Sequence, residues 1–98
     1  MSLSLIAKKD PLVINALYKY KHQVFKDGAL SIKEKELIAV SISCILRCEK
    51  CLEVHSQLAK DHGATKDELR EAMEVAMYLG GPHTVIWSPM VDEIINDD

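Results

Sequence analysis

The run Leu37-Ile38-Ala39-Val40-Ser41-Ile42-Ser43-Cys44-Ile45-Leu46 constrains the fold of this chain more than any other stretch. Its ten residues include two serines and no charge. It is too short to cross a bilayer, which takes about 20 apolar residues as a helix. Wound as a helix it is apolar on nearly every side, so nearly every side must be covered. Ser31-Ile32-Lys33-Glu34 directly before it reads as a capping box, in which the serine and the glutamate each close the other's free backbone donor. The helix therefore runs from there to about Leu46 and forms the buried centre of the protein. Hydrophobic residues make up 48% of the chain but aromatic ones only 5%, so the core must come from Leu, Ile, Val, Ala and Met. That composition favours helices packed on helices, an all-α fold. No strand alternation, internal repeat or low-complexity segment competes with it.

The flanking segments fit the same plan. Residues 1–9 are a short lead, mobile at its start. Asp10-Pro11 reads as an N-cap and first helical position, opening a helix whose Leu12, Val13, Ala16, Leu17, Tyr20, Val24 and Phe25 fall on a helical period. Asp27-Gly28 ends it, with Gly28 suited to a left-handed C-cap. Arg47-Cys48 marks a turn, and a further helix runs from about Cys48 to His62, closed by Gly63. Thr65-Lys66-Asp67-Glu68 is a second capping box, opening a helix through Leu79 with Leu69, Ala72, Met73, Ala76, Met77 and Leu79 inward. Gly80-Gly81-Pro82 breaks the chain. His83 to Ile95 resumes a helical pattern that Pro89 must end or kink, and Trp87 is its packing anchor. His22 and His83 have no partner at motif spacing and read as structural or exposed.

Ninety-eight residues make one domain, 1–98, near the small end for a self-sufficient core. So much apolar sequence in so short a chain implies surface shared with another copy, a homo-oligomer. The net charge of −3 is uneven: residues 1–35 carry seven Lys and three acids, residues 36–98 five basic and twelve acidic residues. Lys8, Lys9, Lys19, Lys21 and Lys26 are spaced like a solvated helix face without aromatic or glycine patterning, which argues against a nucleic-acid partner. The short apolar start before Lys8 does not read as a secretory signal. Neither a membrane nor an export route is expected. Three cysteines, an odd count, fit a reducing cytosol, where a Cys-x-x-Cys pair is more plausibly catalytic than structural.

That pair follows the apolar run directly. Cys48 and Cys51 are three residues apart and Cys51 and His55 four, so on a helix all three share a face. Such a dithiol can close a small disulfide or hold one thiol ready to attack, with an imidazole a turn away to take its proton. An ordinary thiol, of pKa about 8.5, is only slightly ionised at neutral pH, and bringing it to about 7 takes roughly 2 kcal/mol. A helix start would favour the thiolate of Cys48, and an imidazolium at His55 that of Cys51; the spacing leaves the two open. If the segment is one helix, a zinc site built from Cys44, Cys48, Cys51 and His55 fails on reach, because the four would be spread over about 16 Å; with a break before Cys48, no second Cys pair exists elsewhere in the chain to complete one. A c-type haem needs the His directly after the second Cys, where Leu52 stands. Inert buried thiols are the remaining reading, favoured for Cys44. If a hairpin turns at residue 47, Glu36 and His55 lie about 16 and 12 Å from it along their helices, at similar depth. Glu36 is then either an ordinary solvated acid or the group that holds the imidazole in its proton-accepting tautomer. Glu49 and Glu53 fall on the solvent side.

Glu36, then Cys48 twelve residues on, then Cys51 and His55, resembles the AhpD-like branch of the carboxymuconolactone decarboxylase family. Gly63-Ala64-Thr65 before its capped helix and Gly80-Gly81-Pro82 are similar to that family too. The resemblance covers residues 30–85 closely and the first helix loosely. It implies an AhpD-like helical fold in which the cysteine pair opens a buried helix, and an obligate oligomer, often a trimer or hexamer. It also implies an antioxidant thiol peroxidase or disulfide reductase with no cofactor beyond a redox-active Cys48–Cys51 disulfide. Cys51 would attack a hydroperoxide, Cys48 would resolve the sulfenic acid, and His55, oriented by Glu36, would be the base. A dithiol protein, lipoylated or thioredoxin-like, would return the electrons. Lys50 stands where the alkyl hydroperoxidase of this branch has a relay histidine. Two other readings remain: a carboxymuconolactone-type decarboxylase, whose family members lack the cysteine pair, and a non-catalytic redox-sensing module whose disulfide alters oligomer packing or a partner contact.

Overall fold

Helix starts and stops in this chain are written in local hydrogen bonding. The computed structural model describes residues 3–95, as α1 (Ser4–Lys9), α2 (Pro11–Val24), α3 (Ile32–Ile45), α4 (Glu49–Asp61), α5 (Lys66–Gly80) and α6 (Ser88–Ile95). A 3-10 turn, Pro82–Val85, precedes α6. No strand occurs among the described residues, and the fold is all-α. Both capping boxes form. Ser31 Oγ accepts from the Glu34 N–H at 3.1 Å while Glu34 Oε1 accepts from the Ser31 N–H at 2.8 Å. Thr65 and Glu68 repeat the pattern at 3.1 and 2.9 Å. The backbone N–H of Ser31 holds the Glu34 carboxyl below the usual carboxylate range, and the Lys33 ammonium, with the Thr65 N–H, does the same for Glu68. A carboxylate with a lowered pKa adds stability above its unfolded value that disappears as pH falls through the folded one, so both helix starts weaken in acid.

The turn between α3 and α4 is a Schellman closure. The Cys48 N–H donates to the Ser43 carbonyl and the Arg47 N–H to that of Cys44, each at 3.1 Å. The position that favours glycine is held by Arg47, at φ 55°. A side chain there costs about 1 kcal/mol. Arg47→Gly is expected to stabilise the protein by roughly 0.5 kcal/mol, the relief of strain being partly offset by a more flexible unfolded chain. Chemical denaturation that shows a loss instead would mean the arginine side chain holds something in place.

The core is the packing of α3 against α4 and α5, with α6 closing over α4 and α5. Val40 and Cys44 of α3 meet Leu52 and Ala59 of α4, Leu69 and Ala76 of α5, and Val91 and Ile95 of α6. Leu37, Ala72, Met73, Trp87 and Met90 pack against its edge, so Trp87 is an anchor as expected. Lys33 pairs with Glu68 at 2.9 Å across the starts of α3 and α5. Lys60 reaches from α4 to the Ile94 carbonyl of α6 at 2.8 Å.

Several expectations need correcting. The lead contains a helix, α1, with no buried residue. Asp10 precedes Pro11 at the start of α2 but makes no side-chain cap. Gly28 is not left-handed; α2 ends at Phe25, φ −92°. The Lys35 ammonium supplies the donors there, bonding the carbonyls of Val24 and Lys26 at 2.8 and 2.7 Å. Pro89 neither ends nor kinks a helix, because it sits in the first turn of α6, where a missing N–H costs nothing. Met77 and Leu79 face outward. α2 lies mainly along α1 and buries only Ile14, so its apolar period covers no core of this chain. Nor is α3 covered on all sides: Ile38, Ile42 and Ile45 form an exposed stripe, Ile42 at 49%.

Candidate thiol site

The Schellman turn leaves Cys48 as the N-cap of α4, in extended conformation with φ −101°. Its sulfur accepts a hydrogen bond from the Cys51 N–H at 3.2 Å, doing what a serine oxygen usually does at a helix start. Cys48 and Cys51 are joined as a disulfide, with Cα atoms 5.2 Å apart. Both are half-buried. Cys44 is different: it is wholly buried among the core side chains, unbonded, and burial pushes its thiol pKa up. It stays protonated and poorly nucleophilic.

Nearly two turns into α4, His55 meets Glu36 of α3. His55 Nδ1 lies 2.6 Å from Glu36 Oε1, across the antiparallel hairpin. Glu36 is 3% exposed and His55 22%. A buried carboxyl group needs a hydrogen-bonding partner, and the His55 imidazole is one for Glu36. With Nδ1 donating to the carboxylate, Nε2 is left as the proton acceptor. The other side of the ring carries Phe25, stacked with centroids 5.7 Å apart and planes at 21°. Three elements therefore fix one imidazole: the start of α3, the end of α2 and α4 itself.

Cys51 and His55 open into a cleft of about 590 Å³ between α2 and α4. Leu17, Val24 and Phe25 form one wall and Val54 continues the other. Lys50, also on the lining, has its ammonium 2.7 Å from Glu53 Oε1, and that bond raises its pKa. It is held as a cation and is a poor proton shuttle near neutrality. Glu49 is exposed, and Glu53 is the half-exposed partner of Lys50. His22 and His83 are exposed. Among the described residues no three His, Cys, Asp or Glu side chains converge as a metal site would require, and no helix is long and apolar enough to cross a membrane.

Glu36 and His55 are thus in contact, Cys48 and Cys51 are in contact, and Cys51 shares the cleft with His55. Phe25 has no signal in the sequence beyond its apolar period, because its ring partner is thirty residues downstream. Lys35, which ties down the segment carrying Phe25, reads in the sequence as one more surface lysine.

A helical hairpin with a Cys-x-x-Cys at the start of its second helix and a Glu–His pair beneath is the arrangement of AhpD-like proteins. The chain belongs to the carboxymuconolactone decarboxylase family, whose model matches residues 11–85. A solved family member from Legionella pneumophila, in its apo form, superposes with a TM-score of 0.85 at 30% identity, over 97% of this chain and 85% of that one. A second, from Thermotoga maritima, has a TM-score of 0.78 at 26% identity, over 88% and 89%, and its description mentions an antioxidative response. Among curated proteins, an uncharacterised protein of the cox locus of Paracoccus denitrificans is 43% identical over 53 residues, 54% of this chain. The matched part spans 48% of that relative's length.

Proposed function

We propose that this protein is a thiol-dependent peroxidase and disulfide reductase working through Cys48, Cys51, His55 and Glu36. The observation that carries the reading is the 2.6 Å bond from His55 to a buried Glu36, with His55 one turn from a half-buried cysteine in the same cleft. His55 Nε2 takes the proton of Cys51; the thiolate attacks the terminal oxygen of a hydroperoxide ROOH; the O–O bond breaks; the alkoxide leaves as ROH with the proton returned. Cys51 is then a sulfenic acid. The Cys48 thiol displaces its hydroxyl, giving the Cys48–Cys51 disulfide and water. A dithiol protein attacks Cys51 from the cleft and expels Cys48, which its N-cap position makes the better-stabilised leaving thiolate; a second thiol of the donor completes the reduction. A cytoplasmic setting fits this need for a dithiol donor. Catalytic consumption of cumene hydroperoxide with dihydrolipoamide tests the reading. Stoichiometric disulfide formation without turnover would favour the redox-sensing alternative. The cysteine pair counts against a lactone decarboxylase.

The protein works as a homo-oligomer in this reading, a trimer or hexamer by resemblance to the family. Support comes from the exposed stripe of α3 and from α2, where Leu12 is 76% exposed. Sedimentation at micromolar concentration is expected to show an assembly; a stable, folded monomer would refute it.

A further inference from the structure

We propose that the cleft between α2 and α4 is a binding site for one anionic amphiphile, an apolar chain ending in a carboxylate. Within the peroxidase reading, on which this last step rests, the substrate class is a hydroperoxide borne on such a chain.

Three observations converge. A cleft of about 590 Å³ lies within the roughly 300–1,000 Å³ range of small-molecule sites, far larger than hydrogen peroxide needs. Its walls beside the thiol are apolar, from Leu17, Val24, Phe25 and Val54, and so reward an alkyl chain. No acid is among its lining residues, whereas two lysines are. The lysines are not equivalent. The Lys50 charge is already matched by Glu53 at 2.7 Å. Lys21 has no side-chain partner among the described residues. It lies between Leu17, four residues before it, and Val24 and Phe25, three and four after, on the face that lines the cleft. Its stem can lie along that wall while its ammonium stays at the edge. An apolar trough with one unmatched cation on its wall complements a fatty carboxylate better than a neutral or cationic chain. Glu53 also borders the adjoining groove with Lys21, but its carboxylate is engaged by Lys50.

Calorimetric titration of the intact protein with laurate and dodecyltrimethylammonium below their micelle concentrations, and with dodecanol below its solubility limit, tests the site. Laurate is expected to bind most tightly and to slow alkylation of Cys51 in the reduced protein. Lys21→Gln should weaken laurate by about three- to fivefold, the range of an exposed ion pair, while dodecanol binding stays nearly as it was; Lys21→Arg should restore laurate. Equal affinity for laurate and dodecanol, no change in Lys21→Gln, or association only with phosphatidylglycerol vesicles would each overturn the proposal. With linoleate hydroperoxide, Lys21→Gln should raise KM more than with its methyl ester. Laurate binding that shields Cys51 without any hydroperoxide turnover would uphold the site and refute the peroxidase reading.

Discussion

Cys51→Ser is expected to abolish peroxide turnover, whereas Cys48→Ser should complete one round and stop. The second variant still has its nucleophile but cannot resolve the sulfenic acid, which a dimedone-type reagent should trap at Cys51. The loss in multiple-turnover rate should exceed a thousandfold for Cys51→Ser, since a hydroxyl is scarcely ionised and far less nucleophilic than a thiolate. Cys44 should remain reduced in either variant, because it is walled into the core. The structure supplies the competing outcome too. Cys48 is the residue at the helix N-cap, with the Cys51 N–H on its sulfur. If Cys48→Ser is dead from the first round and the sulfenic acid appears on Cys48 in Cys51→Ser, the helix dipole chooses the nucleophile and the imidazole does not.

His55→Ala should lower the rate at neutral pH by roughly ten- to a thousandfold, corresponding to about 1.4–4 kcal/mol of lost proton transfer and thiolate stabilisation. Part of the loss should return towards and above pH about 8.5, where an unperturbed thiol ionises unaided. Glu36→Gln should be milder in the same direction, since the amide can hold the ring in place but cannot neutralise an imidazolium. It also leaves an amide in a buried place shaped for a carboxylate, so its stability should be checked separately. The double variant should fall short of the sum of the two effects, because both residues act on one proton path. An unchanged pH–rate profile in His55→Ala would dispose of the relay.

The legible parts of this chain were those whose physics is local. Ser31 with Glu34, and Thr65 with Glu68, announced two helix starts because each cap is closed within four residues. The contact between Glu36 and His55 is legible because both residues lie at similar depth from one turn, and α3 and α4 are regular on either side of it. Apolar period was a poorer guide. It puts Leu12, Leu17 and Tyr20 on one apolar period, yet they are exposed in the single chain. Period tells which side of a helix seeks cover and not what provides it. The left-handed cap expected at Gly28 failed for a similar reason, since the donor that ends α2 comes from Lys35, eleven residues beyond Val24.

Lys35 and Glu36 are neighbours, and they serve opposite banks of the cleft. The ammonium of the first grips the carbonyls at the end of α2, and the carboxylate of the second grips the imidazole on α4. Two adjacent residues of α3, about 3.8 Å apart at Cα, thus each hold one bank. The two grips differ in strength of enclosure: the lysine bonds are exposed to water, and the carboxylate is buried. Water competes readily for the former and hardly for the latter. The bank held through exposed bonds is α2, and the bank held through a buried carboxylate is the one that carries the sulfur and its base.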